Sequence, residues 1–466
     1  MMTKHVKTFL AALLLSSFSL AFPPVCAAGE DWDDEGEEEE AAGQKEGAEK
    51  DFNVSQWLAS IIEWGGYYEN QLMFAKLPHN TQEGESDWKV TDYNKLRLDL
   101  AARPVRGFRL DVDVVFKTYH GYKSITLPDL LPSKFDLELS LWEAADPASV
   151  KWNLENEFYL DNACMTLTVK MLRLKVGKQQ VRFGSGYFWN PTDLFNVKDL
   201  LDPTYEKKGI TAVKAQLFFA QEAQLDFYYF LENGFEENLE KAGFYDGGKF
   251  GLIDEPSLAV RLRKSFFRWD VASTFIMKKD ARIVMTTYAP EIPPVIPELI
   301  IADRLMGGFE FSGEIKGVGL RGEVAVNRIG DQERFIEVLG SIDYTFRHGI
   351  YVLAEYLYNS RGVSGSGNYT FDSWINFLTQ SIRYQGRHYV AALIMVPVTR
   401  AHLELQLSGI VNASDGSFVL NPWLNYRWGD YVTLSIYGVF SWGDDDTDEF
   451  PATGHGVFAR LRFAYN

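Results

Sequence analysis

From about Asn53 to its end the chain alternates apolar and polar side chains with a period of two, and few folds can use such a pattern. The last ten residues are the clearest case. Val457, Ala459, Leu461, Phe463 and Tyr465 share one face of a strand, and Arg460 and Arg462 share the other. Beyond Phe22 no stretch is both apolar and long enough to cross a bilayer as a helix, which takes about 20 residues. Only strands are left to span a membrane, and they do so only as a closed barrel, because an open edge leaves backbone groups unpaired in hydrocarbon. The pattern predicts an all-β fold: a transmembrane antiparallel β-barrel, apolar toward lipid and charged toward water. Aromatic residues, 15% of the chain, suit the girdles that such barrels carry at both interfaces.

The N-terminus fits an exported chain. Lys4 and Lys7 precede an apolar run from Phe9 to Phe22, and Cys26-Ala27-Ala28 supplies small residues for cleavage, so residues 1–28 read as a signal peptide. Residues 29–52 form an acidic, low-complexity segment in which Glu30 to Asp51 holds twelve acids against Lys45 and Lys50. Its apolar side chains are too few to offset the entropy of ordering, so it is expected to be disordered in the periplasm. The barrel takes residues 53–466. More than half of the net charge of −18 lies in the short acidic segment. A nucleic-acid partner is disfavoured, since counterion release needs clustered lysine and arginine. Once Cys26 leaves with the signal, Cys164 stands alone, which excludes an intrachain disulfide and a cysteine-based metal or redox centre.

Counting runs of alternation gives about 18 strands, an even number as in bacterial single-chain barrels. Among them are Lys151–Thr168, Leu172–Phe183, Phe267–Met277 and Arg304–Ile315. Connections at one end are short, as at Pro104-Val105-Arg106, Lys316-Gly317 and Gly429-Asp430. Those at the other end include long ones, at about 120–150, 184–208, 278–303 and 360–387. Short periplasmic turns and long extracellular loops follow if both termini are periplasmic. Trp374–Tyr384 is placed in a loop with room for a short helix.

Alternation also assigns the lumen. Arg97, Arg109, Arg173, Lys175, Arg261, Arg263, Glu310, Glu314, Arg321, Glu337, Asp343, Arg460 and Arg462 face inward as pore-lining candidates, with Glu323, Glu355 and Glu404 beside them. Turning the basic ones onto lipid would cost roughly 2–4 kcal/mol each at the midplane. Basic residues dominate the final strand and the early strands; acids collect in the middle and later ones. Closure then either sets a basic arc against an acidic arc, or lets neighbouring strands pair their charges within the wall. A wall this wide is not filled by side chains alone. Loop 184–208, aromatic yet rich in turn residues, is expected to fold inward and narrow the lumen.

Leu172–Gly184 (LRLKVGKQQVRFG), followed by Asn190-Pro191-Thr192-Asp193-Leu194-Phe195-Asn196, resembles a strand-and-loop signature of porin-like outer-membrane proteins near the alginate-export-type and substrate-specific porins. Asn412–Asn425 (NASDGSFVLNPWLN) is similar to a hairpin in such proteins. The resemblance implies that Lys178, Gln179, Gln180 and Arg182 enter the barrel near its mouth, and that Asn190, Asp193 and Asn196 open the constricting loop. Phe183 stands where the family has tryptophan before the glycine. The chain ends in Asn466 rather than an aromatic residue, which leaves Tyr465 as the signal to the barrel-assembly machinery.

Enzymatic chemistry is not expected, nor any cofactor or metal. Gly184-Ser185-Gly186 lacks the later glycine, lysine and helix start of a phosphate loop. No His-x-x-x-His pair is present for a metal on a helix. His402 beside Glu404 resembles part of a hydrolase dyad without a nucleophile. Asp444-Asp445-Asp446 with Asp448 and Glu449 offers oxygens for Ca²⁺ without the spaced glycine of an EF-hand loop. The leading expectation is a bacterial outer-membrane channel for diffusion of small polar or charged solutes through a mixed-charge lumen. Its partners would be outer-membrane lipid, those solutes, and the assembly machinery through the C-terminal strand. The alternatives are an export conduit for an acidic polysaccharide, a barrel scaffold for a periplasmic partner protein, and a surface adhesin. Nothing in the sequence decides the oligomeric state.

Overall fold

The computed structural model describes residues 61–76, 88–135, 151–196, 208–219, 222–232, 256–286, 296–331, 333–379, 382–444 and 446–465. The expected signal peptide and acidic segment lie outside them. The strands are β1 (Ile62–Lys76), β2 (Trp88–Val105), β3 (Phe108–Gly121), β4 (Ser124–Thr126), β5 (Lys151–Asn153), β6 (Glu157–Val169) and β7 (Leu172–Gln179). They continue as β8 (Ile210–Phe219), β9 (Ala223–Phe230), β10 (Ser257–Phe266), β11 (Trp269–Thr286), β12 (Ile296–Ile315), β13 (Val318–Ile329) and β14 (Glu333–Thr345). The last are β15 (Tyr351–Asn359), β16 (His388–Val398), β17 (Leu403–Asn412), β18 (Phe418–Trp428), β19 (Val432–Trp442) and β20 (His455–Tyr465).

β4 and β5 pair only with each other. The other eighteen form one antiparallel sheet, and β20 returns to pair with β1 from Gly66↔Tyr465 to Lys76↔His455. The sheet is closed, so no backbone edge is left to hydrocarbon. At the seam the Tyr465 hydroxyl donates to the Arg97 carbonyl at 2.5 Å, and its ring lies 6.1 Å from Trp64. The alternation is physical. On β1, Glu69 and Gln71 are fully buried inside, while Tyr68, Leu72 and Phe74 stand exposed outside. A slip of one residue would turn every such pair around. Tight turns hold that register. Lys316 and Gly317 both have positive φ, +52° and +84°, as the two central positions of a type I′ hairpin demand.

Several boundaries differ from those that periodicity suggests. Lys151–Asn153 forms β5, so the wall strand begins only at Glu157. β7 stops at Gln179, because the chain leaves the wall there and turns into the lumen. β11 and β12 project beyond the expected strand ends, to Thr286 and from Ile296, as a continuous ribbon. Trp374–Tyr384 adds no wall strand. Phe371–Leu378 is a helix, begun where the Thr370 hydroxyl accepts from the Ser373 amide at 3.2 Å. At the long-loop end this helix, the β11 extension and the segment after β4 share a core: Trp374, Ile375 and Leu378 pack with Ala281, Ile283, Leu127, Leu131 and Phe135. Asn376 fixes the helix to the ribbon edge, accepting from the Ile283 amide at 2.9 Å and donating to its carbonyl at 2.6 Å.

Candidate functional site

After Gln179 the chain folds inside the barrel. Val181, Phe183, Leu194 and Phe195 pack on the inner wall against Tyr228, Phe230, Ile276 and Met306, with Phe195 stacked on Phe230 at 3.8 Å. The turn between them needs glycine. A Cβ on Gly184 (φ +88°) would sit 2.8 Å from a Glu323 oxygen, and one on Gly186 would sit 1.9 Å from the Trp189 carbonyl. Gly184-Ser185-Gly186 thus lets backbone amides approach a carboxylate of the wall.

Two inward glutamates hold those amides. Glu323 on β13 accepts from the amides of Ser185 (2.6 Å), Gly186 (2.8 Å) and Thr192 (3.2 Å), and from the Thr192 hydroxyl (3.0 Å). Glu355 on β15 accepts from the amides of Tyr187 (2.9 Å), Phe188 (3.0 Å) and Trp189 (2.9 Å). Glu310 on β12 adds the Thr192 hydroxyl at 3.2 Å and pairs with Arg261. On the same arc of wall Arg383 pairs with Glu337 of β14 at 3.1 Å and donates to the carbonyls of Asn190, Pro191 and Asp193. The Lys278 ammonium donates to the Leu194 carbonyl at 3.1 Å. Residues 184–196 leave the wall at β7 and reach β15, eight strands round an eighteen-strand ring and nearly opposite. Asn190, Asp193 and Asn196 all lie in this inserted segment. Asn196 ties it back to its start through the Val181 carbonyl at 2.7 Å.

The remaining inward charges fall into groups. Arg97 bridges Asp99 (2.6 Å), Asp113 (2.9 Å) and Asp161 (2.7 Å). Arg109 meets Asp111 at 2.7 Å, Arg321 meets Asp343 at 3.0 Å, and Glu314 meets Arg268 at 3.1 Å. Arg460 and Arg462 share the fully buried Glu69, at 3.9 and 2.8 Å. Beside them Trp423, Tyr437 and Phe458 stack face to face along the inner wall. Under the inserted segment a cavity of about 220 Å³ is lined by Gln180, Val181, Arg182, Lys214, Asp226, Tyr228, Arg261 and Arg263. Arg173 and Lys175 stand on the adjoining β7, Arg173 over the Phe218 ring. His402 sits exposed in the turn before β17 with φ +52°, while Glu404 is engaged by Asn425 and Arg427, so the two form no dyad.

Arg97 is the most heavily committed of these cations. Its removal leaves three carboxylates together in the wall, and breaking such a buried pair typically costs about 3–5 kcal/mol. Arg97→Ala is expected to lower the urea midpoint of the vesicle-folded barrel accordingly; an unchanged midpoint would mean that water neutralises the cluster.

No family model matches the sequence, and no curated protein matches it. Solved structures do. Pseudomonas aeruginosa OccK5 (OpdH) aligns over 87% of this chain and 98% of its own, at TM-score 0.50 and 10% identity. P. aeruginosa OccK11 (OpdR) covers 87% and 95%, at TM-score 0.50 and 12% identity. OmpT of Vibrio cholerae, an outer-membrane protein, covers 86% and 98%, at TM-score 0.41 and 11% identity. Identity this low speaks to fold alone. The chain is an outer-membrane β-barrel of porin architecture, closed by eighteen antiparallel strands.

Proposed function

We propose that the protein is a channel for passive diffusion of small polar or charged solutes, narrowed by residues 184–196 and favouring anions. The single observation that carries this reading is the anchoring of the inserted segment by Glu310, Glu323, Glu337 and Glu355. Acids that alternation makes pore-lining are spent on amides, a hydroxyl and arginines. The open cavity beneath is lined by Arg182, Lys214 and Arg263 beside Asp226, and by Arg261, which is paired with Glu310. A lumen constricted on one arc and basic beside the constriction selects by size and by sign. The same cations would suit an acidic polysaccharide, the cargo of the alginate-export-type alternative. That reading needs a basic track across the whole wall, and on β2 and β20 Arg97, Arg460 and Arg462 are engaged with carboxylates. The signal peptide, the periplasmic acidic segment and recognition of the last strand by the assembly machinery belong to the same proposal.

Planar-bilayer recording of the refolded mature chain in a KCl gradient tests it. The expected result is stable steps with a reversal potential on the chloride side. Exchanging Lys214 and Arg263 for glutamate should move that potential toward the potassium side. A folded, heat-modifiable protein that never conducts would overturn the channel reading. Conductance indifferent to the exchange would overturn the assigned selectivity site.

A further inference from the structure

The chain enters the wall at the end that carries the short turns, since Ile62 at the start of β1 pairs with Ala102 near the β2–β3 turn. Seven of the eight short turns hold a lysine or arginine in them or beside them. Arg103, Arg268 and Arg427 have carboxylate partners there, in Glu63, Glu314 and Glu404. Arg106, Lys170, Lys264, Lys316, Arg347 and Arg400 are exposed and have no carboxylate within ion-pair distance among the described residues. Glu222, Asp270 and Asp430 stand at the same end, so the unmatched cations outnumber the unmatched acids two to one. The turns follow one another around the closed sheet, which makes a ring of these cations rather than a patch. Such an excess of cations is notable on a chain whose net charge is −18.

We propose that this ring seats the acidic segment Glu30–Asp51 of the same chain across the short-turn mouth. The charges match, because the segment sets twelve acids against Lys45 and Lys50. The reach matches too. Eighteen strands spaced about 4.8 Å and tilted about 40° close a ring on the order of 35 Å across. Lys316, in the β12–β13 turn, lies almost diametrically opposite β1. The chain from Asp51 to Ile62 extends to about 36 Å, so even the nearest acid spans the mouth. Tethering holds the segment at an effective concentration of about a millimolar beside the ring, which favours it over a soluble partner. Single exposed ion pairs contribute little, so the seat takes several at once and yields to salt. Docked there, the segment screens the mouth from anionic solutes. That consequence rests on the channel reading; the docking does not.

The test is carbodiimide coupling, which joins a carboxylate directly to a lysine amine, on the refolded mature chain in phosphatidylcholine vesicles at one chain per vesicle. Peptide mapping should find Glu37–Glu40 joined to Lys170 and Lys316 at about 0.01 M KCl, where the Debye length is about 30 Å. The links should vanish at about 1 M, where that length is about 3 Å. Arginine does not couple, so Arg106→Gln/Arg347→Gln/Arg400→Gln leaves the reactive groups intact and should still cut the yield severalfold. Heat-modifiable migration checks that each barrel is folded, and should the variant not fold, the salt comparison on the wild type decides. No link to the turn lysines, links that survive high salt, or a yield indifferent to the arginine variant overturns the proposal. So does loss of the links when phosphatidylglycerol is added, which gives the cations to lipid headgroups. None of these readouts needs conduction, so a docked segment on a barrel that never conducts fails the channel reading alone.

Discussion

Exchanging Glu323 and Glu355 together for alanine raises the single-channel conductance of the refolded barrel and replaces its steady level with flicker. Seven hydrogen bonds from the inserted segment end on these two carboxylates. A hydrogen bond to a charged group contributes roughly 1.5–3 kcal/mol net, so the anchorage lost is on the order of 10 kcal/mol before the freed amides regain water. What remains, chiefly Phe183, Leu194 and Phe195 on the wall and Arg383 on the carbonyls, holds the two ends better than the middle. Residues 185–189 are then released into the lumen. Glu355→Gln alone should give a smaller rise, since an amide oxygen still accepts but without charge. Heat-modifiable migration checks that the barrel stays folded. A double variant with wild-type conductance would show that the segment is held by its apolar contacts and that the glutamates are incidental.

How much of this was legible differs between wall and lumen. The wall strands follow from alternation because burial on one face punishes any slip in register. The inward side of the charged residues was also legible, but their task was not. Alternation gives the side of the wall and never the depth. The amides that Glu355 holds belong to residues 166 to 168 positions earlier in the chain. Nothing local marks such a partner. Arg383 was hidden further, since it follows a helix in a stretch with no period of two, yet it reaches carbonyls about 190 residues away. Asp161 shows a different obstacle. It reaches Arg97 because pairing between β3 and β6 slips by one residue between Asp113 and Val114, which brings Asp161 and Asn162 both inside. A bulge of that kind breaks the parity on which the reading of faces depends.

The outer loops should loosen as pH rises, because of one carboxyl. Glu449 lies buried beyond the wall, where it accepts from the Tyr389 hydroxyl at 2.6 Å and from Asn412 at 2.7 Å. Burial first, and Asp415 beside it, push its pKa up to about 7. Asp415 shares the Asn412 amide and also takes the Tyr369 hydroxyl, so the two acids tie three loops together. In the docked state Glu449 keeps its proton up to about pH 7, whereas an undocked glutamate gives it up near 4.5. Docking therefore has its full strength below about pH 4.5, weakens as pH rises through that window, and has lost the contribution above about pH 7. The rise in pKa corresponds to roughly 3 kcal/mol. The effect reaches the constriction, because Tyr389 packs against Trp189 of the inserted segment at 5.9 Å. Open-channel noise and protease cutting in the outer loops should both be lower near pH 5 than near pH 8. Glu449→Gln should hold the low-noise behaviour at both, since its amide carbonyl accepts the same two donors without ever ionising. If wild type and variant show the same pH slope, the titrating group lies elsewhere, and Tyr389 does not couple the outer loops to the constriction.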